Sequence, residues 1–263
     1  MSPGQPPVQD WTRALRLSHD RLVAVLAPLD ADQVSLPSYD SEWTIAQVAS
    51  HLGSAAEIFG GYLHAGLTGT QPPGPEANPP IWAAWNARSA VEQRDAAVTV
   101  DRALVDRFES ATDAERETFQ LSIFGMDLDF AAFAQMRLSE HAVHSWDIAV
   151  ALDATAVVAP ESVRLLIDRL GPIATRTGKP APQPYTVLVV VSDLGGAYLV
   201  SAGDTTSFEP AAAGSPADGA VTLPAEAVLR LVYGRLDPEH TPASVVQTGA
   251  RGLADLRQVF QGF

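Results

Sequence analysis

The chain reads as α plus α+β, a bundle of long helices followed by a small mixed domain. Two observations carry that reading. Over roughly the first 150 residues apolar positions recur at helical spacing between breakers, whereas beyond Asp153 a β-branched run of strand length, a Gly-Gly turn and short helices follow one another. The length of 263 residues suits two medium domains at about 150 residues each, divided here as 1–153 and 154–263.

The first helix carries Trp11, Leu15, Leu22, Val25, Leu26 and Leu29 as one stripe, with Arg13, Arg16, Asp20 and Arg21 between them. Pro37 falls in the loop behind it. Thr44 and Gln47 form a capping-box pattern that starts the second helix, with Trp43 placed to staple against Val48, and this helix runs to about Gly66. The Pro/Gly-rich segment from Thr70 to Pro80 must be loop. A third helix is expected over Ile81–Ser110 and a fourth over Phe130–Leu152, completing a four-helix bundle whose sites would face a shared axis. In the second domain a helix spans Pro160 to about Thr177, and the prolines of 180–184 end it. Tyr185–Val191 and Ala197–Val200 form a hairpin across Gly195-Gly196, and Ala220–Leu223 adds another strand. Pro224 to Gly234 and Leu253 to Phe260 complete the domain as helices.

Seventeen basic against thirty-one acidic residues leave a net charge of −14, which argues against a nucleic-acid partner. No stretch approaches the ~18–20 apolar residues that cross a bilayer, and the opening residues Met1 to Pro7 lack a signal pattern, so a cytoplasmic protein without a membrane partner is expected. With no cysteine, any thiol chemistry must use a thiol brought from outside. The chain has no G-x-S-x-G, H-E-x-x-H, phosphate loop or G-x-G-x-x-G.

Chemistry concentrates in Arg137 to Ile148. At about 100° per residue, Arg137, Glu140, His144 and Asp147 share one helix face, with His141 at its edge. Glu140 and His144 can be two ligands of a divalent metal or simply a solvated i,i+4 pair. A third ligand would come from another helix. Among the six histidines, His51 sits beside the stripe Ile45, Val48, Leu52, Ala55 and Phe59 and faces inward, His19 and His64 read as surface or helix-end residues, and His240 as a loop residue. Arg137 is expected to pair with a neighbouring carboxylate. Trp82 and Trp85 read as core.

The element Trp43-Thr44-Ile45-Ala46-Gln47-Val48-Ala49-Ser50-His51-Leu52, together with the R-x-x-E-x-x-x-H-x-x-D element from Arg137 to Asp147, resembles the DinB-like, mycothiol-dependent maleylpyruvate isomerase family. Leu223-Pro224 through Arg235 is similar to that family's C-terminal domain. The resemblance implies a DinB-like four-helix bundle followed by a sterol-carrier-like α+β domain. It implies His51, Glu140 and His144 as ligands of Zn2+ or another divalent metal, and Asp147 or a backbone carbonyl would orient a ligating imidazole. It implies Arg88 as an active-site arginine that clamps a substrate carboxylate, and mycothiol as the thiol. The reaction expected on those grounds is isomerisation or S-conjugation of an unsaturated or electrophilic small molecule by a monomer or homodimer. The competing expectations are a non-catalytic small-molecule-binding protein and a thiol-independent metallohydrolase.

Overall fold

The computed structural model describes residues 6–39 and 42–262; Met1 to Gln5, read above for a targeting signal, lie outside the described residues. The chain divides into two compact units, Met1–Val157 and Val158–Phe263. Among the described residues no helix is long and apolar enough to cross a membrane.

In the first unit α1 spans Val8–Leu26. It stops three residues short of Leu29 because Pro28 has no N–H to continue the ladder. Helix α2, Ile45–Thr68, begins at the expected box: Gln47 N–H donates to Thr44 Oγ1 at 3.2 Å, and Thr44 N–H donates to Gln47 Oε1 at 2.8 Å. It closes on Gly69 in the left-handed region at φ 65°, where a side chain would be strained. The single helix expected over Ile81–Ser110 is two, α3 at Asn78–Asn86 and α4 at Ala90–Ser110. Ser89 breaks it. Its hydroxyl and Glu92 make a second capping box, which satisfies the first orphan N–H groups of α4 better than a continued ladder would. A short helix α5, Asp113–Thr118, and the hairpin β1 (Leu121–Ile123) with β2 (Met126–Leu128) lead into α6, Phe130–Leu152.

Helices α4 and α6 each pack against both α1 and α2. One part of the resulting core gathers Leu22, Leu26, Ile45, Val48, Leu52, Trp85 and Ile148. Another stacks Phe59, Phe108 and Phe119 against Phe133 at ring separations of 5.2–5.7 Å. Burying each large apolar side chain contributes roughly 1.5–3 kcal/mol, so these contacts, more than helix propensity, hold the four long helices in register.

The second unit contains α7 (Pro160–Leu166), α8 (Leu170–Thr177), α9 (Ala225–Val232) and α10 (Leu253–Val259). The helix expected over 160–177 is interrupted by a 3₁₀ turn at Ile167–Arg169. The strands are β3 (Tyr185–Val191), β4 (Ala197–Ala202), β5 (Thr206–Ala211), β6 (Gly219–Leu223) and β7 (Val246–Gly249), in the order β5-β4-β3-β6-β7. The β3–β6 pair is parallel and the others antiparallel. Edge strands β5 and β7 escaped the sequence reading. Pro210 sits in β5, where an edge tolerates its missing donor, and β7 is exposed along its length and carries no apolar alternation.

Candidate metal centre

His51, Glu140 and His144 lie on two helices. On α6, Glu140 and His144 are one turn apart, and α2 brings His51 against them: both His51 Nε2 and His144 Nε2 stand 3.6 Å from Glu140 Oε2. The two imidazole rings are 4.5 Å apart, and one ligand atom from each residue lies within 4.8 Å of the others. All three side chains keep some access to solvent, 33, 37 and 20% for His51, Glu140 and His144.

The tautomer of His144 follows from its neighbour. Asp147 Oδ2 lies 2.9 Å from His144 Nδ1; a carboxylate accepts, so Nδ1 carries the hydrogen and Nε2 keeps its lone pair toward Glu140. Burial pushes the His144 imidazole below its ordinary pKa, and the charge of His51 pushes the same way against Asp147 and Glu140. Burial would raise the Glu140 carboxyl, but the imidazoles of His51 and His144 facing it and the Arg137 guanidinium hold it down to about 2. Neutral imidazole and ionised carboxylate are the forms that bind a cation. His51 Nε2 is moreover buried with no hydrogen-bond partner. An orphaned ring nitrogen beside a carboxylate and a second free nitrogen suits a divalent ion such as zinc, and three protein ligands are the number that leave a position open.

The ends of the site are fixed locally. Ser38 N–H donates to Trp43 O at 2.8 Å, Ile45 N–H to Leu36 O at 2.9 Å, and Tyr39 N–H to Asp147 O at 3.0 Å. The loop before α2 is thereby folded on itself and tied to α6. That holds the half-exposed Trp43 ring 5.6 Å from the His51 ring.

Arg88 lies in the turn between α3 and α4. Its guanidinium lies 3.8 Å over the Trp85 ring, and Nη1 is buried without a hydrogen-bond partner. Trp85 is held in turn by its Nε1–H, which donates to Glu57 Oε2 at 2.8 Å, and by Gly53, where an added Cβ would come within 2.1 Å of the ring. Arg88 therefore rests on α2 through Trp85. Trp85 is core as expected; Trp82, expected there too, is 46% exposed.

A second cluster of ligand-type residues, His19, Asp101 and His141, lies in the bundle interior. His19 is fully buried, which corrects its reading as a surface or helix-end residue. Asp101 Oδ2 accepts from His19 Nδ1 at 2.7 Å and His141 Nε2 at 2.9 Å, and Oδ1 accepts from Arg137 Nη2 at 2.7 Å. Arg137 thus pairs with a carboxylate as expected. Ser18 Oγ and Ser145 Oγ stand 2.7 and 3.2 Å from His141 Nδ1. Burial would raise the Asp101 carboxyl, yet the charges of His141 and Arg137 and the hydrogen bonds from His141 and His19 hold it well below the carboxylate range. The guanidinium already compensates this carboxylate, so a divalent cation there would meet a like charge in a site closed to solvent.

The family model described as Mycothiol maleylpyruvate isomerase N-terminal domain matches residues 15–149, just over half of the chain. The crystal structure of the mycothiol-dependent maleylpyruvate isomerase is similar over 92% of this chain and 93% of its own, with TM-score 0.68 and 16% identity. A histidine-to-alanine mutant of the mycothiol-dependent maleylpyruvate isomerase is similar over 87% and 90%, with TM-score 0.66 and 16% identity. At that identity the likeness is one of fold. A protein of Geobacillus thermodenitrificans (strain NG80-2) named "Putative metal-dependent hydrolase" is 41% identical over 49 residues, which span 19% of this chain and 28% of that protein. The chain thus covers under a third of that relative's length. On the match that runs through its helical half, this chain belongs to the family of the mycothiol maleylpyruvate isomerase N-terminal domain.

Proposed function

We propose that the chain is a divalent-metal enzyme of the maleylpyruvate isomerase type that uses a small thiol such as mycothiol to isomerise or S-conjugate an unsaturated or electrophilic small molecule. The observation that carries this reading is the convergence of His51, Glu140 and His144 in a half-buried site, with His51 Nε2 partnerless and His144 Nε2 left free by Asp147. A cation held there, zinc for preference, supplies a Lewis acid that favours the thiolate form of a small thiol at neutral pH. The protein's own residues do the rest. Asp147 keeps the His144 ring from turning, and Trp43 sets its ring beside that of His51. Arg88, with a buried donor unused, offers its guanidinium to a substrate carboxylate. The absence of cysteine from the sequence agrees with a thiol supplied from outside.

The test is elemental analysis of the purified protein, then turnover of unsaturated acids with and without mycothiol. One metal per chain and thiol-dependent turnover, both lost in His144→Ala, are expected; protein that takes up no divalent metal would sink the reading. The short match to a hydrolase-named protein favours a second reading, a metal-dependent enzyme that uses water. Turnover without any thiol would decide for it.

A further inference from the structure

Arg137 is wholly buried on α6, three residues before Glu140 and seven before His144, on the face that carries both. Its Nη2 makes two contacts. One goes to Asp101 Oδ1 on α4, and the other, at 3.2 Å, to the carbonyl of Leu52, the residue that follows His51 on α2. One guanidinium nitrogen therefore joins the two helices that bear the triad at the turn where the triad forms. Asp101 is itself held from α1 by His19 and from α6 by His141. Such a network is a poor device for stability alone: a buried ion pair often gains nothing over apolar residues of the same volume, and here Arg137 Nε and Nη1 are buried without partners. What an apolar replacement could not do is reach a specific backbone oxygen on α2. Helices packed only by apolar contacts can shift along one another by fractions of an ångström, enough to spoil a ligand geometry that tolerates about 0.5 Å.

We infer that Arg137, aimed by Asp101, is the positioning residue of the metal site: it sets α2 against α6 so that His51 meets Glu140 and His144 at the separation one cation needs. The inference rests on the ligand reading proposed above. Arg137 touches neither substrate nor metal in this scheme, and acts through the Leu52 carbonyl.

The experiment titrates Co2+ into the metal-stripped full chain and reads both affinity and the visible absorption of the bound ion, which reports coordination geometry. Wild type is compared with Arg137→Lys, with Asp101→Asn, and with Val105→Ala, a packing variant on the same helix as Asp101. Circular dichroism confirms the fold of each. Asp101→Asn keeps the side chain's size and decides the matter if Arg137→Lys does not fold. A loss of cobalt affinity of roughly 10–100-fold with an altered absorption band, in folded Arg137→Lys or Asp101→Asn but not in Val105→Ala, is expected. Wild-type affinity and spectrum in the first two variants would overturn the inference and leave the ligand triad standing. An equal loss in Val105→Ala would also overturn it, by showing that general loosening suffices. Wild-type protein that takes up no cobalt would overturn the triad and the inference together.

Discussion

At the scale of single residues, the two His/carboxylate clusters differ by one neighbour. Asp101 has a guanidinium 2.7 Å away and is closed to solvent, while Glu140 faces two imidazoles whose Nε2 atoms point toward it at 3.6 Å. The first is compensated by the guanidinium, and the second has no such cation within hydrogen-bond distance among the described residues. Asp101 has a consequence for acid stability, because its carboxyl titrates far lower in the folded chain than its unfolded value of about 3.9. The stabilisation it provides is therefore complete above about pH 5 and is lost as the pH falls toward the depressed folded value, because the unfolded chain takes up the proton first. Urea midpoints measured from pH 7 down to pH 3 should fall below pH 5 in wild type and fall less steeply in Asp101→Asn; parallel curves would contradict the assignment. Arg88 makes a different prediction. A charge-assisted hydrogen bond is worth about 1.5–3 kcal/mol, so Arg88→Ala should raise KM for a carboxylate substrate by roughly tenfold or more, with metal content unchanged. Steady-state kinetics on the acid and its ester would show it, since the ester should be indifferent.

At the scale of elements, α2 does the most. Its capping box fixes where the helix starts, its inward face supplies Ile45, Val48 and Leu52 to the core, and one turn carries His51 for the site and Gly53 for Trp85. The glycine is required there because any Cβ would overlap the indole. Gly53→Ala should therefore cost about 1–3 kcal/mol through overpacking and displace Trp85 together with the Arg88 stacked on it. A lowered urea midpoint with changed tryptophan fluorescence is the expected result; unchanged emission would mean that Trp85 does not depend on the gap. The break between α3 and α4 belongs to the same scale, since Ser89 ends one helix and starts another and so leaves Arg88 in the corner between them.

At the scale of the whole molecule, the proposed cation site lies within the first of the two compact units, so a cation held there would stabilise that unit. A ligand at a thousand times its Kd stabilises the state that binds it by about 4 kcal/mol. Calorimetry with added zinc should raise the transition of the unit that contains α1 to α6 and leave that of the unit with the five-stranded sheet in place, and EDTA should reverse the shift. A transition of the first unit that zinc leaves unmoved would contradict the proposed site.

Read from the sequence alone, the helical half, the hairpin of β3 and β4, and the grouping of Glu140, His144 and Asp147 on one face follow from local rules. A capping box, a period of 3.6 or 2, and a spacing of four residues each depend on neighbours a few positions away. The resemblance added His51, on α2, to the expected ligands. The buried cluster could have been glimpsed in the same periodicities, because His19 lies on the stripe Trp11, Leu15, Leu22 and Leu26, and Asp101 on the stripe Gln93, Ala97, Leu104 and Phe108. Periodicity places a polar residue on an inward face but does not name its partner. That His19, Asp101, Arg137 and the Leu52 carbonyl meet, while Arg88 comes to rest on Trp85, was decided by how the helices pack, since contacts between residues tens of positions apart depend on the packing of whole elements and leave no spacing in the chain to read.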